Sequence, residues 1–376
     1  MQREILINVA RFDRSWDDQI ASALEQLDDG EWAELLALAS THRIMANLAR
    51  IVDGMTTVPG NVAAFCAKQH GHLRRESALR GEESDAVVED LAAAGARPIA
   101  LKGYVLARQC YSEPWLREVG DLDLLVRPEH LALTAGQLLS AGYKQSEQTT
   151  AGDLVEISDR RLQGYEQELQ HLGEFTKPGP GGPLLSIDVH FRLSTVFDHL
   201  APRVEVFLAN TVTVDGRGYE QFRPELFVAH LAYHAWWDTQ SLRNVNALAD
   251  LRLCQYSDIL LAFKKWDLNC EDVLEWAERA GVGVVANWAL WLTGNLFGDL
   301  ARQHCVRVDD AREFDAIFAD RWTQRSTESA LGTWRQPAPD RMFDRRRPEQ
   351  ATAMFLAWVN SHLARGDRLD WTERDA

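Results

Sequence analysis

The chain has 376 residues, of which 46% are hydrophobic, and it carries a formal net charge of −16 at neutral pH. This length and apolar content are sufficient for a large buried core, in one domain with helical additions or in two to three domains. The acidic balance argues against a general nucleic-acid binder, because such proteins gain affinity from basic side chains that neutralise phosphates.

The sequence favours a cytoplasmic protein with no membrane partner. The N-terminus lacks the apolar segment of a secretory signal, and no apolar run approaches the ~18 residues of a membrane span. The five cysteines are scattered without a C-x-x-C pair. This usage favours reduced thiols over a zinc ribbon or a disulfide framework.

Helices are predicted for residues 1–96. Apolar residues recur at helical spacing in several short segments, and a long amphipathic helix is predicted from Asn61 towards Ala94. This part carries no chemical signature. The predicted long helix leads the chain into a strand that begins at Pro98.

A strand, a glycine and a helix follow one another in the segment 97–142. The apolar strand at 98–101 leads into Lys102 and Gly103, and a helix is predicted directly after them. Backbone N–H groups at such a helix start are directed at anions. Lys102 would add a point charge and Arg117 a bidentate guanidinium, so the segment predicts a phosphate-binding turn.

Each of these two cations also has a structural alternative. A lysine at the end of a strand is often only solvated. Arg117 could pair with Glu113 or Glu118 at the surface, where an ion pair contributes about 0–1 kcal/mol.

Two aspartates interrupt the next apolar run, Gly120-Asp121-Leu122-Asp123-Leu124-Leu125-Val126. The run predicts a buried strand, and because strand side chains alternate, Asp121 and Asp123 share a face. Neighbouring carboxylates repel each other unless a cation neutralises them. Their oxygens suit Mg²⁺, which binds one or two carboxylates together with substrate phosphates. A solvated strand end is the alternative for the pair taken alone.

A third acid on another strand is expected for a two-metal phosphoryl-transfer centre. In the segment 184–193, apolar residues alternate with polar ones that include Asp188 and His190. We predict that Asp188 joins Asp121 and Asp123. His190 is either a base beside them or a histidine packed at the sheet edge.

The pattern becomes helical again after residue 223. His230 and His234 have the i, i+4 spacing that lets two histidines bind one metal, but no third ligand is evident. Packing, or a hydrogen bond near a nucleotide, is therefore the favoured interpretation. The arginines in 321–347 either pair with the protein's own acids or hold phosphates or an acidic acceptor.

Several of these motifs occur together in one known family. L-K-G at Leu101, then R-x-x-G-D-L-D-L-L-V from Arg117 and I-D-V-H-F-R-L from Ile187, resemble the bacterial uncharacterised nucleotidyltransferases. That family is a branch of the DNA-polymerase-β-like superfamily. The resemblance implies an α+β fold whose polymerase-β-like core is a mixed β-sheet with helices. The implied regions are an N-terminal helical region (1–96), a nucleotidyltransferase core (97–222) and a C-terminal helical domain (223–376).

The resemblance also implies a reaction. A nucleoside monophosphate passes from an NTP, expected to be ATP, to a hydroxyl of a peptide, protein or small-molecule acceptor, with release of pyrophosphate. The implied cofactor is Mg²⁺, with Mn²⁺ as the alternative, and nucleic acid is not expected as a partner. The implied catalytic residues and metal ligands are Asp121, Asp123 and Asp188. The implied nucleotide-binding positions are Lys102, Gly103, Tyr104, Arg117, Gly120, His190 and His234.

One position departs from the superfamily pattern. The glycine after the first strand is commonly followed by a small residue, whereas Gly103 is followed by Tyr104. This departure keeps open a nucleotide-binding regulatory protein without catalysis. A phosphotransferase that moves the γ-phosphate on the same metal site is a further alternative.

Overall fold

The computed structural model describes most of the chain. The described residues are 1–148, 154–158, 162, 170–179, 184–195, 198, 200–214, 216, 218–298, 306–318, 332–344, 346–347, 349, 352–353 and 356. The sequence also predicts a final helix at 349–364, and most of it lies outside these ranges. Three arginines of the segment 321–347, Arg321, Arg325 and Arg345, lie outside them as well.

The N-terminal part is helical, as the periodicity of its apolar residues predicts. The helices are α1 (Gln2–Val9), α2 (Asp17–Leu24), α3 (Asp29–Thr41), α4 (Met45–Asp53) and α5 (Gly60–Ala93). A capping box begins α3, because Asp28 and Glu31 each accept a hydrogen bond from the other's backbone N–H. Helix α5 has 34 residues, which matches the predicted long helix.

The middle of the chain forms a mixed eight-stranded sheet. Its strands are β1 (Ile99–Ala100), β2 (Leu122–Leu125), β3 (Lys144–Gln148), β4 (Leu154–Glu156), β5 (His171–Pro178), β6 (Leu184–His190), β7 (Thr211–Thr213) and β8 (Glu220–Phe222). The spatial order is β4-β3-β5-β6-β2-β1-β8-β7. The pairs β2–β6 and β1–β8 are parallel, and the other neighbouring pairs are antiparallel. The predicted α+β class with a mixed sheet is confirmed.

The remaining helices lie within and after this sheet region. Those within it are α6 (Lys102–Gln109), α7 (Leu131–Ser140) and α8 (Val204–Ala209). Those after it are α9 (Pro224–Thr239), α10 (Leu242–Asn246), α11 (Leu253–Trp266), α12 (Cys270–Arg279), α13 (Gly283–Phe297), α14 (Val308–Ala316) and α15 (Ala338–Arg341). A short antiparallel pair, β9 (Ile317–Phe318) with β10 (Gly332–Thr333), lies between α14 and α15.

Apolar packing joins the helices to the sheet. One cluster of buried apolar side chains extends from Ile5 in α1 to Met342 after α15. Helix α9 is buried on almost every side, as expected for a helix that is apolar all round. The division of the chain at 96/97 and 222/223 remains a prediction. Among the described helices, none has both the length and the apolarity that a membrane crossing needs.

Candidate active site

Asp123 and Asp188 meet because their strands pair in parallel. In the register of β2 and β6, Asp123 lies opposite Asp188. Paired residues of neighbouring strands project from the same face of a sheet. Asp121 lies two residues before Asp123, so the alternation of an extended chain directs it to that same face. Asp123 and Asp188 each place a carboxylate oxygen within 4.8 Å of the other and of a ring nitrogen of His190. The strand pattern thus assembles carboxylates from two distant segments.

Arg80 on α5 holds the starts of both acidic strands. Its Nη1 donates to the carbonyl oxygen of Gly120 at 2.6 Å and to that of Leu184 at 2.7 Å. Gly120 comes directly before Asp121, and Leu184 opens β6. One guanidinium therefore contributes to the register in which the acids face each other.

The carboxylates differ sharply in their protein partners. Asp123 Oδ1 accepts a hydrogen bond from Lys102 Nζ at 2.9 Å and lies 2.8 Å from His190 Nε2. Within the described part of the chain, Asp121 and Asp188 have neither a hydrogen bond nor an ion pair. The protein therefore compensates one of the charges directly and leaves two without a direct partner.

The pKa values of Asp123 and Asp188 differ because only Asp123 has direct partners in the protein. Burial acts to raise the pKa of Asp123, but the Lys102 charge and the His190 contact hold it well below its usual range. Burial, together with the charges of Asp121 and Asp123, raises the pKa of Asp188 well above its usual range. Ionised Asp188 is thus unfavourable until a further positive charge arrives.

Lys102 occupies a strained backbone position beside the acids. It is the first residue of α6 and has a φ of 44°, in the left-handed region that costs a non-glycine residue about 1–2 kcal/mol. Burial acts against its charge, but the Asp123 and Asp121 carboxylates outweigh that effect and raise the pKa of Lys102. Lys102 is therefore a half-buried cation whose ion pair in this structure is with Asp123.

The other predicted residues of the phosphate turn have structural contacts of their own. A Cβ at Gly103 would lie 3.3 Å from a methyl group of Val119, so the missing side chain permits close packing there. The Tyr104 hydroxyl donates to Asp85 Oδ1 at 2.7 Å, and the Arg108 guanidinium lies 3.7 Å from the centre of its ring. The Tyr104 side chain thus packs against α5, and a nucleotide contact would come from its backbone. Gly120 is exposed.

Arg117 forms a buried ion pair with Asp258 of α11. Its Nε donates to both carboxylate oxygens of Asp258, at 2.8 and 3.0 Å, and its Nη2 donates to Oδ2 at 2.8 Å. The Tyr111 hydroxyl donates to the same carboxylate at 2.7 Å. Among the described residues, Arg117 forms neither of the alternative surface pairs, with Glu113 or with Glu118. A phosphate contact by Arg117 would require this buried pair to open.

We expect Asp258→Asn to destabilise the protein by about 3–5 kcal/mol, because it leaves the buried Arg117 charge without a counter-charge. Urea unfolding at neutral pH measures the loss. The matched control is Asp309→Asn on α14, at an exposed aspartate. The double change Arg117→Met with Asp258→Leu should recover much of the stability. An unfolding midpoint for Asp258→Asn equal to that of the control would contradict a stabilising role for the pair.

Histidines of α9 line a small cavity beside Lys102. His230 is buried, and neither of its ring nitrogens has a hydrogen-bond partner among the described residues. Burial lowers the pKa of His230 to about 3 and that of His234 well below its usual range. Both rings are therefore neutral at pH 7, and each can donate and accept one hydrogen bond. Residues with polar side-chain groups that line the cavity include Lys102, Gln170, His190, His230, His234 and Trp237.

The zinc interpretation of the two α9 histidines gains no support. Within the described ranges, the potential metal-ligand group consists of Asp123, Asp188 and His190, and it includes neither His230 nor His234. The structure instead places these two imidazoles in the cavity that Lys102 and His190 also line.

Glu174 is an acid that the sequence analysis missed. It lies on β5 directly opposite Asp188 and accepts a hydrogen bond from Ser186 Oγ. Burial raises its pKa, and the Asp121 charge adds to the effect although the Ser186 bond opposes it. No local motif marks Glu174, because its proximity to the site depends on the pairing of β5 with β6.

Arginines near the C-terminus pair with acids of the protein itself, which is one of the two alternatives raised by the sequence. Arg341 Nη1 lies 3.1 Å from Asp315, and Arg347 Nη2 lies 3.3 Å from Asp250. Arg346 pairs with Asp344 at 2.7 Å. These three described arginines are thus already engaged.

Comparisons with known proteins agree with the geometry. A family model described as an uncharacterised nucleotidyltransferase matches residues 28–298. The match covers β1 to β8 with all three predicted acids, and it extends over the helices on both sides, from α3 to α13. Comparisons with curated proteins and with solved structures return no match.

Proposed function

Since the chain belongs to the uncharacterised nucleotidyltransferase family, we propose that it moves a nucleoside monophosphate from an NTP, expected to be ATP, onto an acceptor hydroxyl. The acceptor class is a peptide, a protein or a small molecule. The net charge of −16 is the reason to place nucleic acid outside that class. Family membership supports nucleotidyl transfer in general, and the finer assignments rest on the site.

The observation that supports this proposal best is the unbalanced charge of the carboxylate cluster. Asp188 is half-buried, lies opposite Asp123 and has no hydrogen-bond or ion-pair partner among the described residues. Carboxylate oxygens of Asp123 and Asp188 lie within 4.8 Å of each other. Two negative charges this close raise the carboxyl pKa values unless a cation is present. A fold that keeps such a carboxylate unpaired has a site suited to a divalent ion.

The chemistry of the donors fits a hard cation. The ligands would be carboxylate oxygens of Asp121, Asp123 and Asp188, and oxygen donors suit Mg²⁺, with Mn²⁺ as the alternative. Asp123 Oδ2 has no hydrogen-bond partner in the described ranges, since Lys102 and His190 both contact Oδ1. A bound divalent ion would neutralise phosphate charge and lower the pKa of the acceptor hydroxyl.

The chain's own residues would orient and compensate the reacting groups. Lys102 and His190 keep Asp123 ionised and fixed in place through their contacts with Oδ1. The backbone of Gly103 and Gly120 would approach the phosphates, and the neutral His234 would donate or accept a hydrogen bond with the nucleotide. In the transfer, the acceptor oxygen bonds to the α-phosphorus while the bond from that phosphorus to the pyrophosphate oxygen breaks.

Intact-mass analysis of candidate acceptors, incubated with each NTP and Mg²⁺, tests the proposal. The expected result is an acceptor that gains one nucleoside monophosphate, with label transferred from the α-phosphate and pyrophosphate released. Gain of the γ-label would instead identify the phosphotransferase alternative. NTP binding without modification of any acceptor would favour the regulatory alternative.

A further inference from the structure

Arg43 adopts a backbone conformation that its side chain makes costly. It follows the C-terminus of α3 and has a φ of 52°, in the left-handed region where helix ends usually place glycine. A non-glycine residue there is disfavoured by about 1–2 kcal/mol. The side chain is exposed, and its guanidinium has no hydrogen bond or ion pair among the described residues.

The Arg43 side chain borders the acidic site. It lines a concavity of about 190 Å³ together with Arg80, Glu118 and Gly120. Gly120 is exposed and immediately precedes Asp121. Arg43 therefore shares this concavity with the residue that leads directly into Asp121.

Neither acid in this concavity forms an ion pair with Arg43 in the described part of the chain. Burial raises the pKa of Glu118, and the nearby Arg43 charge opposes that effect. Glu76 lies 4.0 Å from Arg80. These contacts leave the Arg43 guanidinium as a cation that no carboxylate of the described chain pairs with.

A second arginine, Arg252, lies next to the turn that carries Arg43, because the backbone N–H of Cys254 donates to the His42 carbonyl oxygen at 3.3 Å. Arg252 precedes α11, is half-buried, and has no side-chain hydrogen bond or ion pair among the described residues. Burial and the Arg43 charge lower its pKa, and Asp238 opposes that effect only in part. Asp238 already accepts hydrogen bonds from Gln255 and Asn244. Two neighbouring guanidiniums without carboxylate partners can together bind the oxygens of one phosphate-containing anion.

We propose that Arg43 and Arg252 bind the β- and γ-phosphates of the NTP, and the pyrophosphate product, on the Asp121 side of the site. Guanidinium groups match phosphate oxygens with two parallel hydrogen bonds. Arg43 comes from the N-terminal helices and Arg252 from the C-terminal helices, so the leaving group would join both flanks to the sheet. This inference rests on the proposed function, because it takes an NTP as the substrate.

Calorimetric binding of inorganic pyrophosphate with Mg²⁺ to the full chain tests the site without requiring catalysis. Arg43→Gly should weaken pyrophosphate binding by about tenfold, and Arg43→Gly with Arg252→Gln by about a hundredfold. Arg43→Gly should unfold at the same temperature as the wild type or above it, because glycine accepts the left-handed φ without strain. Loss of binding could then not be attributed to unfolding.

Arg43→Gly both relieves backbone strain and removes a positive charge, and each effect has its own control variant. Asp267→Gly relieves the same left-handed strain at the C-terminus of α11, where φ is 50°. Arg312→Ala removes an exposed arginine from α14. Both controls should bind pyrophosphate as tightly as the wild type does.

The outcomes separate this inference from the proposed function. Unchanged pyrophosphate affinity in folded Arg43→Gly, or no pyrophosphate binding by the wild type, would overturn the inference. An unchanged KM for the NTP combined with a raised KM for the acceptor would also overturn it, and would assign the arginines to an anionic acceptor. Arginine-dependent pyrophosphate binding by a wild type that transfers no nucleotide would support the inference and contradict the proposed function alone.

Discussion

Replacing Asp188 with asparagine should lower nucleotidyl transfer by about a thousandfold and, at the same time, stabilise the metal-free protein near neutral pH. The loss of activity follows from removal of a charged ligand. The gain in stability follows because Asp188 is half-buried and unpaired, so that its ionised form repels Asp121 and Asp123. If the relief is about 1 kcal/mol, the midpoint of thermal unfolding in a chelator should rise by about 2 °C.

The pH dependence of this gain has a definite sign. The pKa of Asp188 lies above its ordinary value of 3.8 in the folded protein. As the pH rises above that ordinary value, the unfolded chain ionises first, and the folded wild type is progressively destabilised. The advantage of Asp188→Asn should therefore grow as the pH rises and vanish in acid. Wild-type activity in Asp188→Asn, or an equal unfolding midpoint near neutral pH, would contradict the assignment.

Asp123→Asn should inactivate the protein to a similar extent but should destabilise it. Asp123 is the direct partner of Lys102 and His190, and its removal leaves the half-buried lysine without its ion-pair partner. Breaking a buried ion pair in this way costs about 3–5 kcal/mol. Urea unfolding measures the loss, and the exposed Asp309→Asn serves as the control for both aspartate variants.

The effect of ionised Asp123 on the stability of the folded protein is opposite in sign to that of Asp188. Because the pKa of Asp123 is depressed in the folded state, its contribution to stability is present above 3.8 and is lost as the pH falls through the depressed value. The penalty of Asp123→Asn should accordingly shrink in acid. If Asp123→Asn and Asp188→Asn changed the stability equally at neutral pH, the assignment of Asp123 as the paired and Asp188 as the unpaired carboxylate would be contradicted.

Local patterns in the sequence account for a large part of the fold. Helical spacing predicted α5 and α9, and the alternation around Asp121 and Asp188 predicted two strands with acids on one face. These features depend on residues only a few positions apart, where periodicity is informative. The meeting of Asp123 with Asp188 followed from the family resemblance and from the expectation that a metal centre needs a third acid.

Contacts between residues far apart in the sequence could not be predicted from local periodicity. Arg117 and Asp258 are 141 positions apart, and no local pattern marks an aspartate on α11 as the partner of that guanidinium. Glu174 came close to the site through the pairing of β5 with β6. Arg43 is a single residue after a helix, and its proposed role depends on its left-handed backbone and on the concavity that it shares with Gly120. Only the folded arrangement shows which charges remain unpaired.

The central claim is that carboxylates from β2 and β6 form a divalent cation site. Mn²⁺ binding, followed by electron paramagnetic resonance in the presence of a non-hydrolysable NTP analogue, tests it most directly. We expect the wild type and Asp309→Asn to bind Mn²⁺ with equal affinity, and Asp123→Asn with Asp188→Asn to bind it at least about a hundredfold more weakly. Equal Mn²⁺ affinity in the folded double variant would contradict the claim.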